Sequence, residues 1–159
     1  MDAFKNFFSC IKKGQRKLNS TENIKTTNVE KTTNISINPP KIKTHLICDD
    51  APSIRLVLKK YLTLFGCKVD EAENGQVAID KIKNGNSYNI IWMDIKMPTM
   101  DGFEATRYLK KEMNYENVII GLTGYVDEET VRKCHELGMK HFVSKPFDKK
   151  VIQMYTEQY

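Results

Sequence analysis

Long apolar runs are missing from this sequence. No stretch approaches the ~20 consecutive apolar residues that a transmembrane helix needs. The first residues, MDAFKNFFSCIKKG, also lack the continuous apolar stretch and the small-residue cleavage site of a secretory signal. We therefore expect neither a membrane-spanning nor a secreted protein, and we expect a cytoplasmic location.

Cysteine and histidine are scarce and are not arranged as metal ligands. The chain has four Cys and three His, no C-x-x-C motif occurs, and no His lies at zinc-ligand spacing from a Cys. A structural zinc site is therefore not expected, and free thiols fit a reducing compartment. The phosphate loop G-x-x-x-x-G-K-S/T is also absent, so the sequence does not predict nucleotide binding of that type.

The positive charge of the chain is confined to its N-terminal part. Residues 1–43 contain nine Lys or Arg and three acidic residues, a net charge of +6, whereas residues 44–159 carry a net charge of −1. A basic tail can bind acidic lipid, nucleic acid or an acidic protein, whereas the net charge of the nearly neutral remainder does not indicate such a partner.

The first 18 residues form a basic amphipathic segment. Its apolar side chains have the i, i+3, i+4, i+7 spacing of one helical face: Phe4, Phe7, Phe8 and Ile11. Together with the basic flank this pattern resembles an interfacial membrane anchor, and Cys10 is a candidate for acylation. The alternatives are a helix that docks on the rest of the chain and a frayed leader.

Residues 19–43 are rich in Asn, Thr, Lys and Ser and are predicted to be a disordered linker, because they have too little apolar surface to offset their ordering entropy. From Thr44 to the end, at 159, strand and helix signals alternate in five βα units. This pattern predicts an α/β fold: a doubly wound, flavodoxin-like parallel sheet of five strands in the order 2-1-3-4-5.

The predicted elements are bounded by recognisable start and stop signals. The predicted strands are 45–48, 68–71, 89–93, 118–122 and 141–143, and the predicted helices are 52–65, 74–83, 101–113, 127–137 and 148–157. The first helix is expected to bury one face, formed by Ile54, Val57, Leu58, Tyr61, Leu62 and Phe65.

Polar residues follow four of these strands at the point where each one ends. They are the pair Asp49-Asp50, then Asp94, Thr123 and Lys145. The carboxyl ends of parallel strands meet at one edge of a sheet, so these side chains should converge.

Neighbouring carboxylates remain together around a cation or with shifted pKa values, and a nearby Lys and Thr suit an oxyanion. Each residue alone is more often a helix cap, a turn former or a solvated charge, but the joint pattern indicates magnesium-dependent phosphoryl transfer.

Residues 44–158 resemble the receiver domain of two-component response regulators. The matching motifs are DD at 49–50, MDIKMPTMDGFEATR at 93–107, LTG at 122–124 and SKPF at 144–147. The segment MPTMDGFEATR is most similar to receivers of hybrid histidine kinases and phosphorelays.

The resemblance implies that Asp94 accepts a phosphoryl group from a phosphohistidine. It also implies a Mg²⁺ site, which Mn²⁺ can fill as well. Asp50 and Asp94 would bind the ion directly, Asp49 through water, and Lys96 through its backbone carbonyl.

By the same resemblance, Thr123, Gly124 and Lys145 bind the phosphoryl group. Thr123 and Phe142 form the switch, in which the ring turns inward when the hydroxyl moves toward the phosphate. The Lys145-Pro146 bond resembles the cis peptide of the family.

The chain is therefore expected to be a stand-alone receiver, since little sequence follows the last helix. A histidine kinase, a histidine phosphotransfer protein or both would be its partners, and an unknown protein would read its state. No nucleic acid partner is expected, because the basic tail is too short and too poor in apolar residues to fold as a DNA-binding module. The chain is not expected to be an enzyme beyond its own phosphotransfer and autodephosphorylation.

Three alternatives stay open. A chemotaxis-like regulator would use the phosphorylated face to bind an effector, and a scaffold would use the same fold without phosphate. A phosphatase of the haloacid-dehalogenase type also uses Asp, Thr and Lys, but its nucleophile lies in D-x-D-x-T/V after the first strand, where this chain has DDAP.

Overall fold

The computed structural model describes residues 42–159. The predicted amphipathic segment, with Phe4, Phe7, Phe8, Cys10 and Ile11, lies outside the described residues, as does most of the predicted linker. None of the described helices has the length and apolar character to cross a membrane.

Five strands alternate with five helices in the described part of the chain. The strands are β1 (Thr44–Cys48), β2 (Lys68–Ala72), β3 (Ile90–Asp94), β4 (Val118–Thr123) and β5 (His141–Ser144). The helices are α1 (Pro52–Leu64), α2 (Gly75–Lys83), α3 (Gly102–Lys111), α4 (Glu128–Glu136) and α5 (Lys149–Gln158).

The strands form one parallel sheet in the order β2-β1-β3-β4-β5, which confirms the predicted doubly wound fold. Helices α2, α3 and α4 pack on one face, around buried residues such as Leu46 and Ile91. Helices α1 and α5 pack on the other face, around Ile47 and Trp92. Leu46 and Ile47 show that alternate residues of one strand enter opposite cores, and burying each such side chain contributes about 1.5–3 kcal/mol.

The helices begin where short polar side chains accept hydrogen bonds from the first turn. Asn74 accepts from the backbone N–H of Val77 at the start of α2. Asp101 and Glu104 form a reciprocal capping box at α3. Helix α1 differs, since it begins at Pro52 after Ala51, which offers no side-chain cap.

Two details differ from the sequence-based expectation. Val57 was predicted to be buried, but it is 42% exposed. The sheet covers only the narrow stripe of α1 that contains Leu58 and Leu62, and Val57 lies beside that stripe. Lys43 falls at the end of the predicted linker, yet its Nζ atom donates to the carbonyl of Thr156 in α5 at 2.6 Å.

One histidine lies inside the apolar core. His45 is fully buried in β1, and its Nδ1 atom accepts a 3.2 Å hydrogen bond from Trp92 Nε1. The other ring nitrogen, Nε2, has no hydrogen-bond partner in the described part of the chain. Desolvation, with a smaller effect of the Lys43 charge, lowers the pKa of His45 from 6.5 to about 4.

The burial of His45 predicts that mild acid destabilises the protein. His45 takes up a proton near pH 6.5 in the unfolded chain but only near pH 4 in the folded chain. Its contribution to the free energy of unfolding is therefore fully present above pH 6.5 and is lost as the pH drops toward 4. The expected loss is about 3 kcal/mol. Urea unfolding followed by the fluorescence of Trp92, the one Trp of the chain, measures it.

His45→Asn should flatten this pH dependence relative to the wild type, because Asn retains an acceptor for Trp92 but does not titrate. His135→Asn is the matched control, since His135 is exposed. Identical pH profiles for the wild type and His45→Asn would contradict the prediction.

Candidate functional site

The predicted site residues lie at one edge of the sheet. Asp49 and Asp50 directly follow β1, Asp94 is the last residue of β3, Thr123 is the last residue of β4, and Lys145 directly follows β5. Strands β1 and β3 are neighbours in the sheet. The chain leaves β1 for α1 on one face and leaves β3 for α3 on the other, so the acidic residues lie at the crevice where the strand order reverses.

Lys145 bridges two buried carboxylates. Its Nζ atom lies 2.5 Å from Asp49 Oδ2 and 2.9 Å from Asp94 Oδ2. Burial alone lowers the pKa of Lys145, but hydrogen bonds to Asp49 and Asp94 and the charges of both outweigh it, so the pKa is raised. The ammonium therefore remains charged in the site.

For Asp94, which pairs with the same ammonium, the effect of burial on the pKa outweighs that of the ion pair. Burial raises the pKa of Asp94, Lys145 lowers it, and the charge of Asp49 raises it again, so the net shift is upward. The pKa of Asp94 stays raised although Lys145 pairs with it, because burial, with a smaller contribution from the charge of Asp49, outweighs the ammonium. One lysine does not fully compensate both acids.

The acidic cluster fits a divalent cation. Asp49, Asp50 and Asp94 each offer a carboxylate oxygen, and these oxygens lie within 4.8 Å of one another. Asp49 and Asp94 are buried and Asp50 is exposed. The Oδ2 atom of Asp49 is buried and pairs with the Lys145 ammonium, which it shares with Asp94. An excess of carboxylate oxygens over positive charge is what a hard cation such as Mg²⁺ requires.

Thr123 is bonded within its own loop. Its hydroxyl donates to the carbonyl of Tyr125 at 2.6 Å and accepts from the backbone N–H of Tyr125 at 3.1 Å. Gly124 is exposed, and a Cβ atom built there meets nothing within 4 Å. Packing therefore does not require glycine at this position, and the space beside Thr123 is open.

The remaining predicted residues surround this center. Lys96 has an exposed side chain, and its backbone N–H makes only a long 3.5 Å contact with Asp94 Oδ1. The predicted metal contact of the Lys96 carbonyl stays a prediction. Phe142 is half-buried against the core shared with α2, α3 and α4, and the Lys145-Pro146 peptide is cis, as expected. The inward movement of Phe142 also stays a prediction.

Sequence reasoning missed Arg55. Its Nη1 atom donates to the backbone carbonyls of Asp49 and Asp50 at 2.7 and 3.3 Å, and its Nε atom pairs with Glu71 at 3.3 Å. The available signal was its place in the first turns of α1, because helical side chains tilt back toward the helix N-terminus. Arg55 therefore reaches the loop that carries the two acids.

A family model described as the response regulator receiver domain matches residues 46–157. The chain belongs to this family. The known receiver architecture thus accounts for the sheet order and for the convergence of Asp49, Asp50, Asp94, Thr123 and Lys145 at one edge.

Receiver-containing relatives come from several kingdoms. The osmosensing histidine protein kinase SLN1 of Saccharomyces cerevisiae is 36% identical over 106 residues, which are 64% of this chain and 9% of that protein. Two-component response regulator 24 of Arabidopsis thaliana is 36% identical over 103 residues, which are 65% of this chain and 73% of that protein. The chain spans 10% or less of the length of three histidine kinases and sensor proteins that it matches.

A solved structure shows the same architecture. The chemotaxis response regulator CheY4 of Vibrio cholerae matches with a TM-score of 0.66 at 27% identity, covering 74% of this chain and 97% of that chain. The chain is thus a receiver domain of two-component signalling, homologous to receivers of phosphorelay kinases.

The double ion pair predicts that Lys145→Met destabilises the receiver. Two buried carboxylates would lose their counter-charge, so the free energy of unfolding should fall by about 3 kcal/mol at neutral pH without divalent cations. Added Mg²⁺ should restore part of that loss, because a ligand that binds only the folded state stabilises it. Denaturant unfolding followed by Trp92 fluorescence measures both effects.

Lys96→Met is the matched control, because Lys96 lies beside the site with an exposed side chain. It should change stability by less than about 0.5 kcal/mol. Equal stability of Lys145→Met and the wild type would show that the bridge contributes nothing.

Proposed function

We propose that this receiver accepts a phosphoryl group from a phosphohistidine on Asp94 in a reaction that requires Mg²⁺ or Mn²⁺. The supporting observation is the placement of Asp94 at the end of β3, with its carboxylate 2.9 Å from Lys145 and within 4.8 Å of two further acids. This arrangement provides a nucleophile, a cation site and a fixed ammonium at one point.

The two oxygens of Asp94 have different surroundings. Oδ2 pairs with Lys145, whereas the one hydrogen bond that Oδ1 accepts from residues 42–159 is the long contact with the backbone of Lys96. We assign Oδ1 as the attacking atom. An Oδ1–P bond forms, the P–N bond of the phosphohistidine breaks, and the imidazole leaves with the electron pair of that bond.

The neighbouring residues stabilise charge during this transfer. A bound Mg²⁺ would screen the carboxylates from the incoming phosphoryl oxygens. Lys145 is already in place to donate to those oxygens. Thr123 would join by exchanging its bonds with Tyr125 for one with the phosphoryl group, which moves a loop that carries the exposed Tyr125 ring. The Phe142 ring would then turn inward, so that the surface of β4, α4, β5 and α5 reports the phosphorylated state.

The relatives support the proposed partners. SLN1 is a histidine kinase and the Arabidopsis relative is a response regulator, which supports exchange with a histidine kinase, a histidine phosphotransfer protein or both. The Arabidopsis regulator, of which this chain covers 73%, also supports a stand-alone receiver. Output would be contact with a downstream protein or a further relay step in the cytoplasm, without nucleic acid. Catalysis would be limited to the receiver's own phosphotransfer and autodephosphorylation.

Phosphate uptake should depend on Asp94. Incubating the full chain with a small phosphodonor and Mg²⁺ should add one phosphoryl group by intact mass, and Asp94→Asn should abolish this gain. Chelation of Mg²⁺ should have the same effect. Asp80→Asn is the control, since Asp80 is an exposed acid of α2.

Uptake that persists in Asp94→Asn, or never occurs in the wild type, would disprove the assignment. Continued turnover of a phosphomonoester beyond one phosphate per chain would instead indicate a phosphatase.

We further propose that the first 18 residues bring the receiver to an anionic membrane surface. The support is their apolar stripe and basic flank. The full chain should sediment with anionic liposomes more than a chain that begins at Ile42, and replacing Phe4, Phe7 and Phe8 with Ser should remove the difference while retaining the charge. Equal sedimentation of all three proteins would exclude membrane contact through this segment.

A further inference from the structure

Arg55 contacts the acidic loop without being part of the acidic cluster. We propose that Arg55 is a positioning residue that holds the backbone of Asp49 and Asp50 so that their carboxylates face the cation site. The inference rests on the proposed function, because it concerns the same site, but it can be tested without phosphate.

Apart from the Lys145 bridge to the Asp49 carboxylate, the loop between β1 and α1 has few other constraints. The backbone N–H of Asp49 still bonds to Ala72 of β2 at 3.1 Å, and the sheet pairing of β1 ends there. Ala51 provides no side-chain cap for α1, and its N–H donates to Asp49 Oδ1 at 2.9 Å. The guanidinium contacts at 2.7 and 3.3 Å therefore fix the two carbonyls that set the directions of the Asp49 and Asp50 side chains.

Arg55 is itself held in place. Its side chain is only 16% exposed, and its Nε atom pairs with Glu71 Oε2 on the adjacent strand β2. The second oxygen of Glu71 accepts from Lys59 at 2.6 Å. The pKa of Glu71 is lowered, mainly by the hydrogen bond from Lys59 with a further contribution from Arg55, so the carboxylate stays charged and orients the guanidinium.

Charge alone does not explain an arginine at this position. A positive charge beside a cation site repels the cation, so Coulomb repulsion alone predicts that removing Arg55 strengthens metal binding. The planar guanidinium, in contrast, can reach two carbonyls and a carboxylate at once. Positioning predicts that removing Arg55 weakens metal binding. The two explanations thus predict opposite changes in metal affinity when Arg55 is removed.

Calorimetric titration of the full chain with Mn²⁺, without any phosphodonor, separates them. Arg55→Met should bind Mn²⁺ about tenfold more weakly than the wild type, the effect of losing a residue that orients metal ligands. Lys60→Met is the matched control: it removes an exposed cation of the same helix and leaves the Arg55 and Glu71 contacts intact. It should bind Mn²⁺ as tightly as the wild type or slightly more tightly.

Mn²⁺ binding by Arg55→Met that equals or exceeds that of the wild type would overturn the proposal. If Arg55→Met does not fold, Arg55→Lys replaces it. Lys keeps the charge but not the planar fork, so a loss of affinity supports positioning and unchanged affinity overturns it.

Asp50→Asn identifies the site by abolishing Mn²⁺ binding. If the wild type shows no Mn²⁺ binding that Asp50→Asn removes, both the positioning role and the metal requirement are overturned. A wild type that binds Mn²⁺ but takes up no phosphate would overturn only the proposed function.

Discussion

The bridge from Lys145 to the buried carboxylates of Asp49 and Asp94 is the interaction on which this site depends. It connects the end of β5 with the ends of β1 and β3, across the intervening strand β4. The bridge requires the parallel order of the sheet, because only that order brings three distant loops to one edge. It also makes burial of two acids tolerable, since each unpaired buried charge would cost several kcal/mol.

Lys145 does not fully compensate the negative charge of the acidic cluster, and this imbalance is the property that matters for the chemistry of the site. Two buried acids share one ammonium beside the exposed Asp50, and burial keeps the pKa of Asp94 raised despite the contact with Lys145. A site with unbalanced charge costs stability, and proteins retain such local conflicts mainly where function needs them. Here the imbalance favours binding of a divalent cation. The network of Arg55 and Glu71 beside it stiffens the loop without adding to the acidic cluster.

Local sequence signals predicted much of the fold because they act over a few residues. Asn74 and Asp101, where the second and third predicted helices begin, cap α2 and α3, and Gly66, which follows the first predicted helix, has a positive φ of 79°. Val57 was placed wrongly, because periodicity defines a broad apolar face and does not show how much of it the sheet covers. The contact of Lys43 with α5 was also not predicted, since it joins residues more than one hundred positions apart.

The sequence by itself determined which residues end the strands, and hence that Asp49, Asp50, Asp94, Thr123 and Lys145 share one edge. That follows from strand periodicity, which short stretches of sequence determine, and from parallel topology, for which few strand orders are possible. Tertiary structure alone decided that Lys145 contacts two acids rather than one, that Asp50 is exposed while Asp49 is buried, and that the Thr123 hydroxyl bonds to Tyr125. It also placed Arg55 on the acidic loop. These outcomes depend on distances of a few ångströms between side chains brought together by packing, and no local pattern encodes them.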